Sequence, residues 1–125
     1  MQRLILSLGL AALAIVSAAC SSGSGAAPTP PASIPADAIT VVAKDLAFQP
    51  TEVAAPADQP FTLVLDNQED IPHNIAIKDA TGAVVFKGEI INKGQEVNAI
   101  PALSAGSYPF LCEVHPNMTG TITAS

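Results

Sequence analysis

The segment CEVHPNM places three soft metal-binding side chains, Cys112, His115 and Met118, within seven residues. A thiolate, an imidazole and a thioether are all ligands that copper accepts. Fully extended, the segment would span about 20 Å, so the three groups can reach one ion only if the chain turns back sharply. Pro116 restricts φ and Asn117 tolerates turn geometry, so the sequence permits such a turn.

A fourth candidate donor, His73, lies 39 residues before Cys112 and is one of only two histidines in the chain. It begins a strand pattern after a loop, and strand ends can meet at one pole of a sandwich. Two imidazoles and a thiolate in a plane, with a weak axial thioether, form the ligand field of a blue copper electron-transfer site. Taken singly, a cysteine or methionine is more often an ordinary core residue. The grouping of all four donors at loop–strand junctions favours a copper site.

Short β-strands must position these donors. Runs of β-branched and aromatic residues end at Pro, Gly, Asn or Asp. The strands are predicted at 38–43, 60–67, 73–79, 83–91, 94–100, 107–113 and 120–125. Residues 46–60 contain three prolines and are predicted to form an irregular loop with one short strand. Seven to eight strands predict an all-β fold, a Greek-key β-sandwich or barrel.

The residues before this domain have a different composition. Residues 1–19 combine Arg3 with an apolar run that is shorter than the roughly 20 residues of a membrane-spanning helix, which predicts a signal peptide. Cys20 follows directly and resembles the lipid-carrying cysteine of bacterial lipoproteins. Residues 20–37 are rich in Ser, Gly, Ala and Pro and predict a flexible tether. We therefore expect an exported protein, anchored by lipid to the outer side of a bacterial membrane, with its folded domain over 38–125.

The charge of the chain argues against one class of partner, and its cysteine content argues against a disulfide. The chain has 11 acidic residues against 5 Lys and Arg, for a formal net charge of -6. This balance argues against a nucleic-acid partner, since phosphate binding needs clustered cations. If Cys20 is lipidated, Cys112 has no cysteine left to pair with, so a disulfide is not its purpose.

From about residue 39 onward, the sequence resembles the small cupredoxins, the plastocyanin and amicyanin group. The segment YPFLCEVHPNMTGTI is similar to the ligand loop near the carboxyl terminus of that family, and IPHNI is similar to its first histidine segment. The spacing Cys-x2-His-x2-Met, with Pro after the His, is similar to the short amicyanin loop.

The resemblance implies a role for each candidate side chain. The equatorial copper ligands would be His73, Cys112 and His115, and the axial ligand would be Met118. Asn74 matches a position that ties the two ligand loops together near the thiolate. Glu113 stands where Thr or Ser is common in the family, and strand alternation predicts that it faces solvent.

The expected function is one-electron transfer through one copper ion per domain. We expect a monomeric carrier rather than an enzyme, because the four donors leave no ligand position for a substrate. Its partners would be redox proteins with a basic or apolar docking face, and the membrane through the lipid. Copper storage or delivery on the same donors is the alternative. A Cys–His nucleophilic enzyme would need an orienting acid, which is not evident, and structural zinc normally prefers more thiolate and no thioether.

Overall fold

The computed structural model describes residues 33–125; the signal peptide at 1–19, Cys20 and the first part of the tether lie outside the described residues. Nine strands form in the described part: β1 (Ile39–Lys44), β2 (Ala47–Gln49), β3 (Glu52–Ala55), β4 (Phe61–Asn67), β5 (Ala76–Lys78), β6 (Val84–Lys87), β7 (Gly94–Ile100), β8 (Gly106–Leu111) and β9 (Thr119–Ala124). From residue 33 to the end, nothing forms a helix with the length and apolar character needed to cross a bilayer.

The strands form two sheets. The strand order is β2-β1-β4-β7 in one sheet and β3-β9-β8-β5-β6 in the other. Neighbouring strands are antiparallel except for β1 with β4 and β3 with β9, which are parallel. This arrangement is a β-sandwich and confirms the predicted all-β fold class.

The segment 46–60 contains two short strands, where the sequence predicted one. A two-residue turn at Asp45 and Leu46, both with φ of 55°, folds β2 back onto β1. Left-handed conformations at both central positions suit a tight hairpin, but Asn and Gly are the residues that usually signal one. Because leucine is not a turn-forming residue, the sequence did not predict this hairpin. After the hairpin, β3 joins the opposite sheet beside β9.

The core lies between the sheets and follows the alternation of the sequence. Side chains that point between the two sheets are almost completely buried: Val41, Leu63, Leu65, Ile75, Ile77 and Phe110. Phe110 also contacts Phe48 of β2, with ring centroids 5.3 Å apart. Cys112 and Met118 belong to the same buried cluster, so the candidate sulfur donors are continuous with the core.

Strand direction brings four connections to one end of the sandwich, here called the loop pole. They are residues 45–46 between β1 and β2, 68–75 after β4, 88–93 between β6 and β7, and 112–118 between β8 and β9. Since β1 runs parallel to β4 and its residue Ala43 pairs with Asn67, β1 begins at the opposite end. The residues just before β1 therefore enter the domain away from the loop pole.

Gly120 provides a test of the packing beneath that pole. It pairs with Phe110 across β8 and β9, and an added Cβ would overlap the Phe110 ring. We expect Gly120→Ala to lower the free energy of unfolding by about 1–3 kcal/mol, the usual cost of overpacking, in denaturant titration. Thr119→Ala, at an exposed position on the same strand, should change it by no more than about 0.5 kcal/mol. Equal stabilities of the two variants would contradict the prediction.

Candidate metal centre

Residues 112–118 curl back on themselves directly after β8. The main-chain N–H of Cys112 donates to the carbonyl of Met118 at 3.0 Å, and the N–H of Met118 donates to the carbonyl of His115 at 2.8 Å. The loop buries the side chains of Cys112 and Met118 and leaves His115 half-buried. The turn that the donor spacing required is therefore present.

His73 comes to the same pole from a different part of the chain. Its main chain exchanges two hydrogen bonds with Ile91, of 3.0 and 2.9 Å. The buried amide of Asn67 donates to the carbonyls of Ile71 and Ile91 at 2.8 and 3.0 Å and accepts from the N–H of Glu69 at 2.9 Å. These bonds satisfy the polar groups of the loop internally and hold His73 in a fully buried position.

Three donor atoms converge where these loops meet. The Sγ of Cys112 lies 3.8 Å from Nδ1 of His73 and 4.0 Å from Nδ1 of His115, and the two Nδ1 atoms are 3.2 Å apart. Metal–nitrogen bonds of about 2.1 Å and metal–sulfur bonds of about 2.3 Å, as in zinc sites, sum in pairs to roughly 4.2–4.4 Å. Because each separation is shorter than the matching sum, one ion can contact all three atoms. The donor set therefore fits a metal ion.

Glu69 orients the first histidine. Its Oε2 lies 2.9 Å from Nε2 of His73. A carboxylate only accepts hydrogen bonds, so Nε2 carries a proton, and in the neutral imidazole the lone pair of Nδ1 faces Cys112 and His115. Burial raises the pKa of Glu69, but hydrogen bonds from the Leu46 main chain and from His73 outweigh it and leave the pKa below its usual value. Glu69 is therefore ionised at neutral pH and holds the metal-binding tautomer of His73.

Asn74 connects the two segments that carry the donors. Its Oδ1 accepts the main-chain N–H of Glu113 at 2.9 Å, and its Nδ2 donates to Oε2 of Glu113 at 2.9 Å and to the carbonyl of Gly88 at 3.3 Å. The same carboxylate lies 2.9 Å from Nζ of Lys87. Hydrogen bonds from Lys87 and Asn74 hold the pKa of Glu113 below its usual range. The expectation that Glu113 faces solvent is thus only partly right, since its side chain is 35% exposed but tied to the protein.

Sequence reasoning named the converging donors and Asn74, but it missed three supporting residues. Glu69 lies in an irregular loop, where no periodicity marks a bonded side chain. Asn67 is the last residue of β4, where an asparagine indicates only the end of a strand. Lys87 ends a strand and looks like any exposed lysine until the fold brings it to Glu113. The only available signal was proximity in the chain, because Glu69 precedes His73 by four residues.

With this fold and donor cluster, the chain belongs to the cupredoxin-like domain family, whose pattern matches residues 9–124. Amicyanin from Paracoccus versutus is 36% identical over 96 residues, which cover 76% of this chain and 70% of that protein. The crystal structure of that amicyanin matches with a TM-score of 0.61 and 34% identity, over 74% of this chain and 85% of the other. A mutant amicyanin in its Cu(I) form matches with a TM-score of 0.60 and 23% identity, over 74% and 86% of the two chains.

The contact between Glu69 and His73 can be tested through metal affinity. We expect Glu69→Ala to weaken metal binding by about 10–100-fold, because a metal-binding imidazole loses the acceptor that orients it. Competition with a chromophoric chelator measures the affinity. Asp70→Ala is the matched control, since it removes a neighbouring carboxylate that is mostly exposed and 3.9 Å from Lys93. If both variants weakened binding equally, lost charge would explain the effect better than lost orientation.

Proposed function

We propose that this protein is a one-electron carrier with a mononuclear blue copper site. The proposed equatorial ligands are His73, Cys112 and His115, and the proposed axial ligand is Met118. The observation that carries this proposal is the convergence of one cysteine sulfur and two histidine Nδ1 atoms within 4.0 Å of one another. This is the donor set of blue copper sites, and bound copper would supply the one-electron couple between Cu(I) and Cu(II).

The surroundings of the donors suit electron transfer. His73 is held through its main chain by Ile91 and through Nε2 by Glu69, while Cys112 is buried in a hydrogen-bonded loop. Side chains fixed in this way keep one arrangement in both oxidation states, so little rearrangement accompanies gain or loss of an electron. This rigidity suits a carrier, and we propose a carrier and not an enzyme because the four proposed donors leave no ligand position for a substrate.

Met118 supports the axial assignment by its position and chemistry. It is buried in the core cluster with Cys112, and its main chain bonds to both Cys112 and His115. A thioether is a weak, soft donor that completes a plane of stronger ligands in copper sites of this type.

The proposed route for electrons passes through His115. Its ring is half-buried, whereas that of His73 is fully buried, so His115 lies nearer to solvent. Exposed apolar side chains of the loop pole include Ile71, Ile90 and Val114. A redox protein with an apolar or basic docking face would suit this end of an acidic protein.

We further propose that Cys20 carries a lipid and holds the domain at the outer face of a bacterial membrane, with residues 21–37 as the tether. The sequence pattern around Cys20 supports the anchor. The entry of β1 at the end opposite the loop pole is compatible with it, because a tether there leaves the donors accessible. Loss of membrane fractionation in Cys20→Ser would support the anchor, and unchanged fractionation would contradict it.

The spectrum of the copper-loaded protein tests the site. We expect Cu(II) to produce intense thiolate-to-copper charge transfer in the visible range and a matching electron paramagnetic resonance signal. Cys112→Ser should abolish the band, because a hydroxyl cannot replace the thiolate as charge-transfer donor. A colourless protein that binds only Cu(I) would favour copper storage or delivery instead.

The axial assignment has its own test. Met118→Gln should keep the visible band but lower the reduction potential, because an amide oxygen is a harder ligand that favours Cu(II). Met118→Leu, which removes the donor at similar volume, should raise the potential. Voltammetry measures both variants, and a potential unchanged in both would show that Met118 is not the axial ligand.

A further inference from the structure

Glu113 places a carboxylate one residue after the proposed thiolate ligand, Cys112. Two bonds to Asn74 determine its orientation, one from its main-chain N–H and one to its Oε2, both of 2.9 Å. Asn74 is fully buried and directly follows His73, so the carboxylate is anchored to both ligand segments. A negative charge is therefore held in a constant position beside the metal centre.

Lys87 provides a positive charge at the same place. Its Nζ lies 2.9 Å from Oε2 of Glu113, the oxygen that also accepts from Asn74. The main chain of Lys87 is fixed by pairing with Ala76 in the adjacent strand β5. The pair Lys93–Asp70 at the same pole is looser, with 3.9 Å between the charged atoms and both side chains mostly exposed. Lys87 is thus placed specifically against Glu113.

The two charges have opposite effects on a copper centre. Negative charge nearby stabilises the oxidised ion, which has one more positive charge, and so lowers the reduction potential; positive charge raises it. We propose that Lys87 neutralises Glu113 and thereby keeps the potential higher than the carboxylate alone would set it, an inference that rests on the proposed copper function. Lys87 and Glu113 are positioning and charge-setting residues, and neither needs to contact the metal.

A purely structural role for the pair makes a different prediction. If Lys87 and Glu113 only stabilised the ligand loop, removing either one would loosen the same loop and disturb the site in the same direction. If the two charges compensate each other, the two single variants must instead shift the reduction potential in opposite directions. The sign of the shift therefore separates the two roles.

The experiment measures the reduction potential of the copper-loaded protein and of four variants at low ionic strength. Glu113→Gln, which keeps an acceptor for Asn74, should raise the potential, and Lys87→Met should lower it. Each should change the ratio of oxidised to reduced protein at a fixed solution potential by about 1.5- to 5-fold, as for partly exposed ion pairs. The double variant should return close to the unmodified protein. Lys93→Met is the control for loss of one lysine at this pole and should shift the ratio less than Lys87→Met.

The remaining outcomes are distinguishable. The inference would be overturned if Glu113→Gln and Lys87→Met shifted the reduction potential in the same direction. It would also be overturned if Lys93→Met shifted the potential as much as Lys87→Met. Either result would leave the copper function intact. Absence of the visible charge-transfer band from the unmodified protein would instead count against the copper function itself. Lys87 is 59% exposed, so Lys87→Met should fold; thermal unfolding of the metal-free variants checks this independently of copper. Should Glu113→Gln not fold, Glu113→Thr removes the same charge and should also raise the potential.

Discussion

The hydrogen bonds between Asn74 and Glu113 join two parts of the chain that are 39 residues apart, and the candidate metal donors His73 and Cys112 lie directly beside that junction. His73 precedes Asn74 and Cys112 precedes Glu113, so two side-chain bonds of 2.9 Å place the imidazole and the thiol side by side. Strand pairing brings the two segments close, since Ala76 pairs with Leu111, and the side-chain bonds link them directly beyond the ends of β5 and β8. The sandwich brings the two segments together, and the polar contacts at the loop pole fix their relative position.

Burial makes these contacts effective. Asn67, His73 and Asn74 are buried polar residues, and within residues 33–125 no buried side-chain nitrogen or oxygen lacks a hydrogen-bond partner. An unsatisfied polar group in such surroundings would cost about 1–3 kcal/mol, which disfavours alternative arrangements of these loops. A network in which every member is bonded specifies one geometry. Rigid donors suit the proposed function, in which a carrier alternates between two oxidation states.

Charge at the loop pole is arranged in local pairs, although the whole chain is acidic. Glu69 faces the imidazole of His73, and Glu113 faces Lys87. The first carboxylate selects the tautomer of a donor, whereas the second lies beside the thiol segment with a lysine to balance it. The acidic balance of the chain would act on a partner at long range, while the centre depends on these individual contacts.

The sequence by itself determined the donor types, their spacing, the alternation that builds the sandwich and the need for a sharp turn after Cys112, because these properties are local or periodic. Only the tertiary structure decided that Glu69 orients His73, that β2 and β3 are separate strands and that Glu113 meets Lys87. Glu69 lies in a loop without periodicity, so no pattern marks its contact with His73. The hairpin before β2 has a leucine in a left-handed conformation. Lys87 and Glu113 are 26 positions apart in the sequence. Contacts between distant residues depend on how strands from both halves of the chain are brought together, and no local pattern records that arrangement.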